Sequence, residues 1–286
     1  MSEIASEIAE WEKSEIEAAN AGGRPVVVFV HGLWLLSSSW APWRSLFEQA
    51  GYATIAPGWP DDPPTVEAAR EDPDVFAHKM VQQVTDHYLA AISELVTKPA
   101  VIGHSFGGLI AQKIAGEGAS AATVTIDNAP FRGVLPLPAS SLKSAAPVLG
   151  NPTNLGKAIA LTFAQFAYGW ANNLEEDEAR RLYDEHHVPA SGVPLFQAAV
   201  ANFNPFHNEV TVDVKNPNRG PLLVIAGAED NTVPLAITRA TYKQQSKNPG
   251  ITEIVEVPGR GHSLTIDHGW QEVAETALAF VQRFVS

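Results

Sequence analysis

The chain has 286 residues, 45% hydrophobic and 18% charged, a composition that builds one sizeable core and argues against disorder beyond the ends. Asp and Glu outnumber Lys and Arg by 32 to 19, for a formal charge of −13, and no basic cluster follows a phosphate backbone, so nucleic acid and anionic membranes are disfavoured as partners. Cysteine is absent, which excludes disulfides, a thiolate nucleophile and Cys-ligated metals.

Ile4, Ile8 and Trp11 recur at helical spacing in an acidic segment, so residues 3–19 read as an amphipathic packing arm ending before Ala21-Gly22-Gly23. The Glu residues near Met1 stand where a secretory signal needs positive charge, so a cytoplasmic protein starting there is expected. Val26 to Val30 is a β-branched run suited to a strand buried on both faces. A helix over 40–49, a strand over 53–56 and a helix over 75–96 follow, the last placing Phe76, Met80, Val84, Tyr88, Ile92 and Leu95 on one face.

The loop GWPDDPPTVEAAREDPD, residues 58–74, reads as solvated, because no cation-loop spacing surrounds Asp61 and Asp62. Next come a strand over 101–103, a helix over 106–115 and a strand over 123–127. Between 130 and 218 the alternation breaks into helical pieces, 155–168 and 175–186 among them, divided by Pro, Gly and Asn. It resumes with a strand over 222–226, a helix over 235–246, a strand over 252–257 and a helix over 270–285. Right-handed crossovers make this a single α/β domain over 1–286, a doubly wound, mostly parallel sheet of about six strands. The middle segment is too long for a plain connection and reads as an inserted helical cap.

The stretch GHSFGG places Ser105 between strand and helix in a G-x-S-x-G pattern. A side chain at Gly103 or Gly107 would collide across so sharp a turn, and the hydroxyl projects at a helix N-terminus that favours developing negative charge. A serine hydroxyl needs a general base, and the base needs an acid to orient it. Of the nine histidines, His262 lies between the last strand and the last helix. His78 and His87 read as surface residues, and His186 and His187 as packing residues of the cap. Asp230, next to Glu229 after the strand over 222–226, is the expected acid, because the chain order Ser, Asp, His suits this architecture; Asp127, at the end of the strand over 123–127, is the rival. Two amides would hold an oxyanion: Phe106 N–H and, from the HGLW loop, Leu33 N–H, with Trp34 as competitor and otherwise a pocket wall.

With HGLW, GHSFGG, GAEDNTVP and GRGHSL in this order, the sequence resembles the α/β-hydrolase superfamily, in its serine esterase and lipase-like form, from about Val26 to Val285. The resemblance implies Ser105 as nucleophile, His262 as base, Asp230 as acid, Leu33 and Phe106 as oxyanion donors, and a lid from about 131 to 210. Family members usually begin with an extra strand hairpin, whereas the segment before Val26 reads as helix, so either a trimmed sheet or strands that propensity does not reveal are expected here. A serine at the elbow points to acyl transfer: hydrolysis of a carboxylic ester, lactone or thioester, needing no metal or organic cofactor. Phe131, Phe163, Phe166, Tyr168, Trp170, Phe196, Phe203 and Phe206 make the middle segment apolar, which favours a small hydrophobic substrate even if most of them only pack. Two alternatives stay open: a cofactor-free perhydrolase or haloperoxidase-like enzyme, and a hydrolase-fold ligand-binding protein of the receptor kind.

Overall fold

The computed structural model describes residues 7–203 and 209–286. In chain order its first half comprises α1 (Glu10–Gly22), β1 (Val26–Val30), α2 (Ala41–Gln49), β2 (Ala53–Ile55), α3 (Val66–Glu71), α4 (Val81–Ser93), β3 (Ala100–His104), α5 (Phe106–Gly116) and β4 (Ala122–Ile126). Then come α6 (Ala139–Leu149), β5 (Ala158–Ile159), α7 (Phe163–Gly169), α8 (Glu176–His186), β6 (Ala190–Ser191) and α9 (Val193–Val200). The chain closes with β7 (Leu222–Gly227), α10 (Leu235–Gln245), β8 (Thr252–Val257) and α11 (Trp270–Gln282).

Six strands form one parallel sheet in the order β2-β1-β3-β4-β7-β8. Pleating sends alternate residues of β1 to opposite faces. Val26, Val28 and Val30 join a core with Ile16, Val84, Tyr88, Leu109 and Ile114, whereas Val27 and Phe29 join one with Trp43, Phe47, Val273 and Phe280. Both faces are therefore covered by helices, as the expected doubly wound fold requires. The order reverses between β1 and β3, whose C-terminal ends meet at Val30 and Gly103; that edge is where open α/β sheets place their ligands. The helical insertion between β4 and β7 carries α6 to α9 and the small antiparallel pair β5–β6.

Several local expectations are corrected. Ile4 and Phe206, like His207, lie outside the described residues. The first helix starts at Glu10, not residue 3; its buried side is Glu12, Ile16 and Ala19, while Trp11 is exposed. Glu12 explains the shift, since one carboxylate oxygen caps Ala9 N and the other accepts from Gly58 N and meets His87 Nε2. His87 is consequently a buried residue rather than a surface one. The helix expected over 75–96 begins only at Val81, because Pro73–Phe76 forms a 3-10 turn, His78 turns at φ 63°, and Lys79 Nζ reaches Asp61. Met80 is exposed as a result.

The loop over 58–74 contains α3, capped by Thr65 Oγ1 accepting from Ala68 N. The expected helix over 155–168 is a 3-10 turn, then β5, then α7, whose start is set by the Thr162–Gln165 capping pair. Among the described residues no strand precedes β1, in keeping with a trimmed sheet.

Candidate active site

Ser105 connects β3 to α5 with φ 57° and ψ −123°, a region costly for a side chain other than glycine's. The neighbours make the turn possible. A Cβ at Gly103 would lie 2.1 Å from Gly107 O, and one at Gly107 would lie 2.1 Å from Val30 O, so both glycines are needed for the helix to start against the sheet. Ser105 N donates to Ile126 O, tying the turn to β4.

His262, after β8, and Asp230, after β7, come to this turn from the far side of the sheet. His262 Nε2 is 3.0 Å from Ser105 Oγ, and His262 Nδ1 is 2.6 Å from Asp230 Oδ2. An ionised carboxylate only accepts, which puts the ring proton on Nδ1 and leaves Nε2 free to accept from the serine hydroxyl. Asp230 is held in turn, because its Oδ1 accepts from Thr232 N and Val233 N. All three residues are buried.

Asp127 stands beside this relay at φ 39°. Its Oδ1 accepts from Gly227 N, and Asp230 rather than Asp127 bonds the imidazole. Burial, then the neighbouring negative charge of Asp230, push its carboxyl well above the usual carboxylate range, so Asp127 keeps its proton. Ligand atoms of Asp127, Asp230 and His262 lie within 4.8 Å of one another, close enough for a metal by distance. The Asp230 and His262 atoms are already paired with each other and with backbone amides, which is the arrangement of an acid–base relay.

On the β1 side, a Cβ at Gly32 would lie 2.8 Å from Ser105 Cβ and 3.4 Å from Phe106 N. The Gly32–Leu33 peptide therefore runs beside the hydroxyl. His31 Nδ1 donates to Gly32 O at 2.9 Å, and in a trans peptide this turns Leu33 N–H to the opposite side. Phe106 N opens α5, where amides have no acceptor within the helix. Asp62 is not solvated: Oδ2 accepts from Trp59 N and lies 3.1 Å from His31 Nε2, its side chain 6% exposed. Trp34, at φ 65°, donates its indole N–H to Ile159 O, and its carbonyl accepts from Val188 N, so it fastens the insertion to the loop; together with Gly32, Leu33 and Trp59 it also lines a small cavity on this side.

A family model described as the alpha/beta hydrolase family matches residues 27–276. The chain belongs to that family. Solved structures share the hydrolase fold along nearly its whole length. A monoacylglycerol lipase from Paleococcus ferrophilus is 22% identical, with TM-score 0.64 over 91% of this chain and 95% of the lipase. A pyrethroid hydrolase from Sphingobium faniae is 17% identical, with TM-score 0.60 over 90% and 97%. Tomato methylketone synthase I, complexed with 2-tridecanone, is 17% identical, with TM-score 0.62 over 91% and 99%. No curated protein sequence matches.

In this alpha/beta hydrolase the insertion packs against the candidate site through Trp170. Ser105 is 5% exposed and His262 fully buried. Trp170 lies edge-on to the His262 ring, with centroids 4.6 Å apart. Phe131 and Phe166 are buried and Phe163 and Phe196 partly so, whereas Phe203 is exposed, so the aromatic set mainly packs. A cavity of about 320 Å³ lined by Pro42, His186, Ile266 and Trp270, among others, lies between α8 and the segment after His262, and Ser105 is not among its walls.

Two residues had no assigned role in the sequence. His104 Nε2 donates to the carbonyl of His262 at 2.9 Å. Burial, then the adjacent His262, hold His104 well below the usual histidine range, so it stays neutral and fixes the His262 backbone. Its place beside Ser105 was the sole clue. Trp170 was indistinguishable from the other cap aromatics.

Proposed function

We propose that this hydrolase cleaves a carboxylic ester, or a lactone or thioester, of a small hydrophobic substrate through an acyl-enzyme on Ser105. The observation that carries this reading is the continuous relay from Ser105 Oγ to His262 to Asp230, at 3.0 and 2.6 Å. Ser105 attacks the carbonyl while His262 Nε2 takes its proton, and Asp230 steadies the imidazolium. The amides of Leu33 and Phe106 receive the oxyanion, each worth about 3 kcal/mol in the transition state. His262 then protonates the departing alcohol, and water repeats the sequence to release the acid.

The segment from about 131 to 210 acts as the cap of a single domain over 1–286. Its buried aromatics supply the apolar surroundings that suit an uncharged acyl group, and Trp34 joins the cap to the oxyanion loop. Among the described residues no helix is long and apolar enough to cross a membrane.

A p-nitrophenyl ester series from acetyl to long acyl chains tests the reading on wild type and Ser105→Ala. Turnover by the wild type that falls about 10⁶-fold in the variant is expected, with the chain-length optimum sizing the site. Folded wild type that cleaves no member of the series contradicts ester hydrolysis.

A further inference from the structure

One short stretch of the cap, residues 168–173, is bonded to both loops that carry the acid and the base. On the acid side, Asn231 Nδ2 donates to Tyr168 O at 3.0 Å and Thr232 Oγ1 to Gly169 O at 2.7 Å. Asn172 Nδ2 donates to Glu229 O at 2.8 Å, immediately before Asp230. On the base side, Ser263 N donates to Trp170 O at 3.0 Å, immediately after His262. Asn173 Nδ2 donates to Gly259 O at 2.7 Å. A Cβ at Gly261 would lie 2.4 Å from Asn173 Oδ1, so the base loop passes this segment as closely as a glycine allows. Between the two sets of bonds, the Trp170 ring is T-shaped against His262 at 4.6 Å and against His104 at 5.5 Å.

We propose that residues 168–173 are a brace, with Trp170 as its positioning residue, that holds the Asp230 and His262 loops at a fixed separation and keeps the imidazole aligned between Asp230 and Ser105. The inference rests on the reading of His262 as general base. Asp230 and His262 are on separate loops, and their 2.6 Å bond fixes only one edge of the ring. Ser105 Oγ meets the other ring nitrogen and His104 holds the His262 carbonyl; the brace adds two further restraints, a carbonyl on the neighbouring amide and an aromatic wall that stops the ring from swinging towards the cap. This end of the insertion is thereby tied to both loops.

The test removes the two asparagine bonds and leaves the relay intact. Asn172 is exposed and Asn173 half-buried, so Asn172→Ala/Asn173→Ala is expected to unfold cooperatively, as wild type does; the single variants serve if it does not. The direct readout is the far-downfield proton resonance of His262 Nδ1–H, assigned by its loss in His262→Gln, which needs no substrate. In the double variant that signal should broaden or vanish, and kcat on the best ester should fall about ten- to a hundredfold with KM within about threefold.

Asn202→Ala is the control. It removes asparagine bonds of the same kind to Gly133 and Val134 at another part of the cap, and should leave both readouts alone. An unchanged resonance and kcat in the folded double variant overturns the brace, as does a loss equal in Asn202→Ala or a wild type without the resonance. Ester turnover is scored separately: a wild type that shows the resonance but cleaves no ester removes the esterase reading, and the brace is then judged on the resonance alone.

Discussion

Two buried carboxyl groups beside one imidazole cannot serve the same purpose. Asp230 accepts from Thr232 N, Val233 N and the His262 ring, while burial and the neighbouring Asp230 push Asp127 well above the usual carboxylate range. Asp230→Asn should therefore lower kcat about 10⁴-fold by reversing the imidazole tautomer. Asp127→Asn, isosteric with the protonated acid, should stay within about threefold of wild type. The second substitution also carries a stability sign. Folding takes up a proton at Asp127, so its contribution is complete below the unfolded carboxylate range and is lost as pH rises through the higher folded value. Asp127→Asn should hence be at least as stable as wild type at neutral pH by thermal unfolding; a kcat loss matching that of Asp230→Asn would reverse the assignment. The meeting of Ser105, His262 and Asp230 was legible because acyl transfer by a serine would call for those residue types at strand ends. Asp62 and His87 were not, since a carboxylate in a Pro-rich loop and a histidine on a mixed helix give no local sign that their partners, His31 and Glu12, lie 31 and 75 residues away.

Among the elements, the loop after β1, proposed to carry the oxyanion amide, and the turn after β3 form one unit because Gly32 lets their backbones meet. A Cβ there would lie 2.8 Å from Ser105 Cβ and 2.9 Å from His104 O, closer than carbon atoms pack. Gly32→Ala must push the Leu33 amide and the hydroxyl apart, so kcat should drop about 10²- to 10³-fold and the thermal midpoint should fall with it, while KM changes little. Wild-type kcat in that variant would show that the second donor is elsewhere. Strands were legible in the sequence because runs such as VVVFV are buried on both faces, a condition their composition announces. The helix over 75–96 failed for the opposite reason: apolar spacing runs on through His78, where a contact from Lys79 to Asp61 bends the chain. In the cap, periodicity misses pieces as short as β5 and α7, whose ends are set by capping and tertiary pairing.

For the whole molecule, the cap's attachment has a pH limit. His187 sits under α8, its Nε2 accepting from Leu161 N and its ring stacked on Tyr183 at 4.6 Å. Burial, then the nearby Arg70, lower it from 6.5 to about 4. A histidine held neutral by the fold contributes stability that is complete above the unfolded value of 6.5 and is lost as pH falls toward about 4. His104, depressed in the same direction, adds to it. The thermal midpoint should fall as pH drops through that window, with about 3 kcal/mol at stake for His187, and His187→Gln, whose side-chain oxygen can accept from Leu161 N, should flatten the slope. An identical slope in the variant would place the acid sensitivity elsewhere.

The central claim is that Ser105 is an activated nucleophile under the cap, and covalent trapping tests it most directly. Wild type, Ser105→Ala and His262→Gln are treated with an alkyl fluorophosphonate and weighed intact, with the modified peptide sequenced. One adduct per wild-type chain is expected, on Ser105, with none in Ser105→Ala and labelling slowed by orders of magnitude in His262→Gln. A folded wild type that takes no adduct, or takes it on another residue, would contradict it.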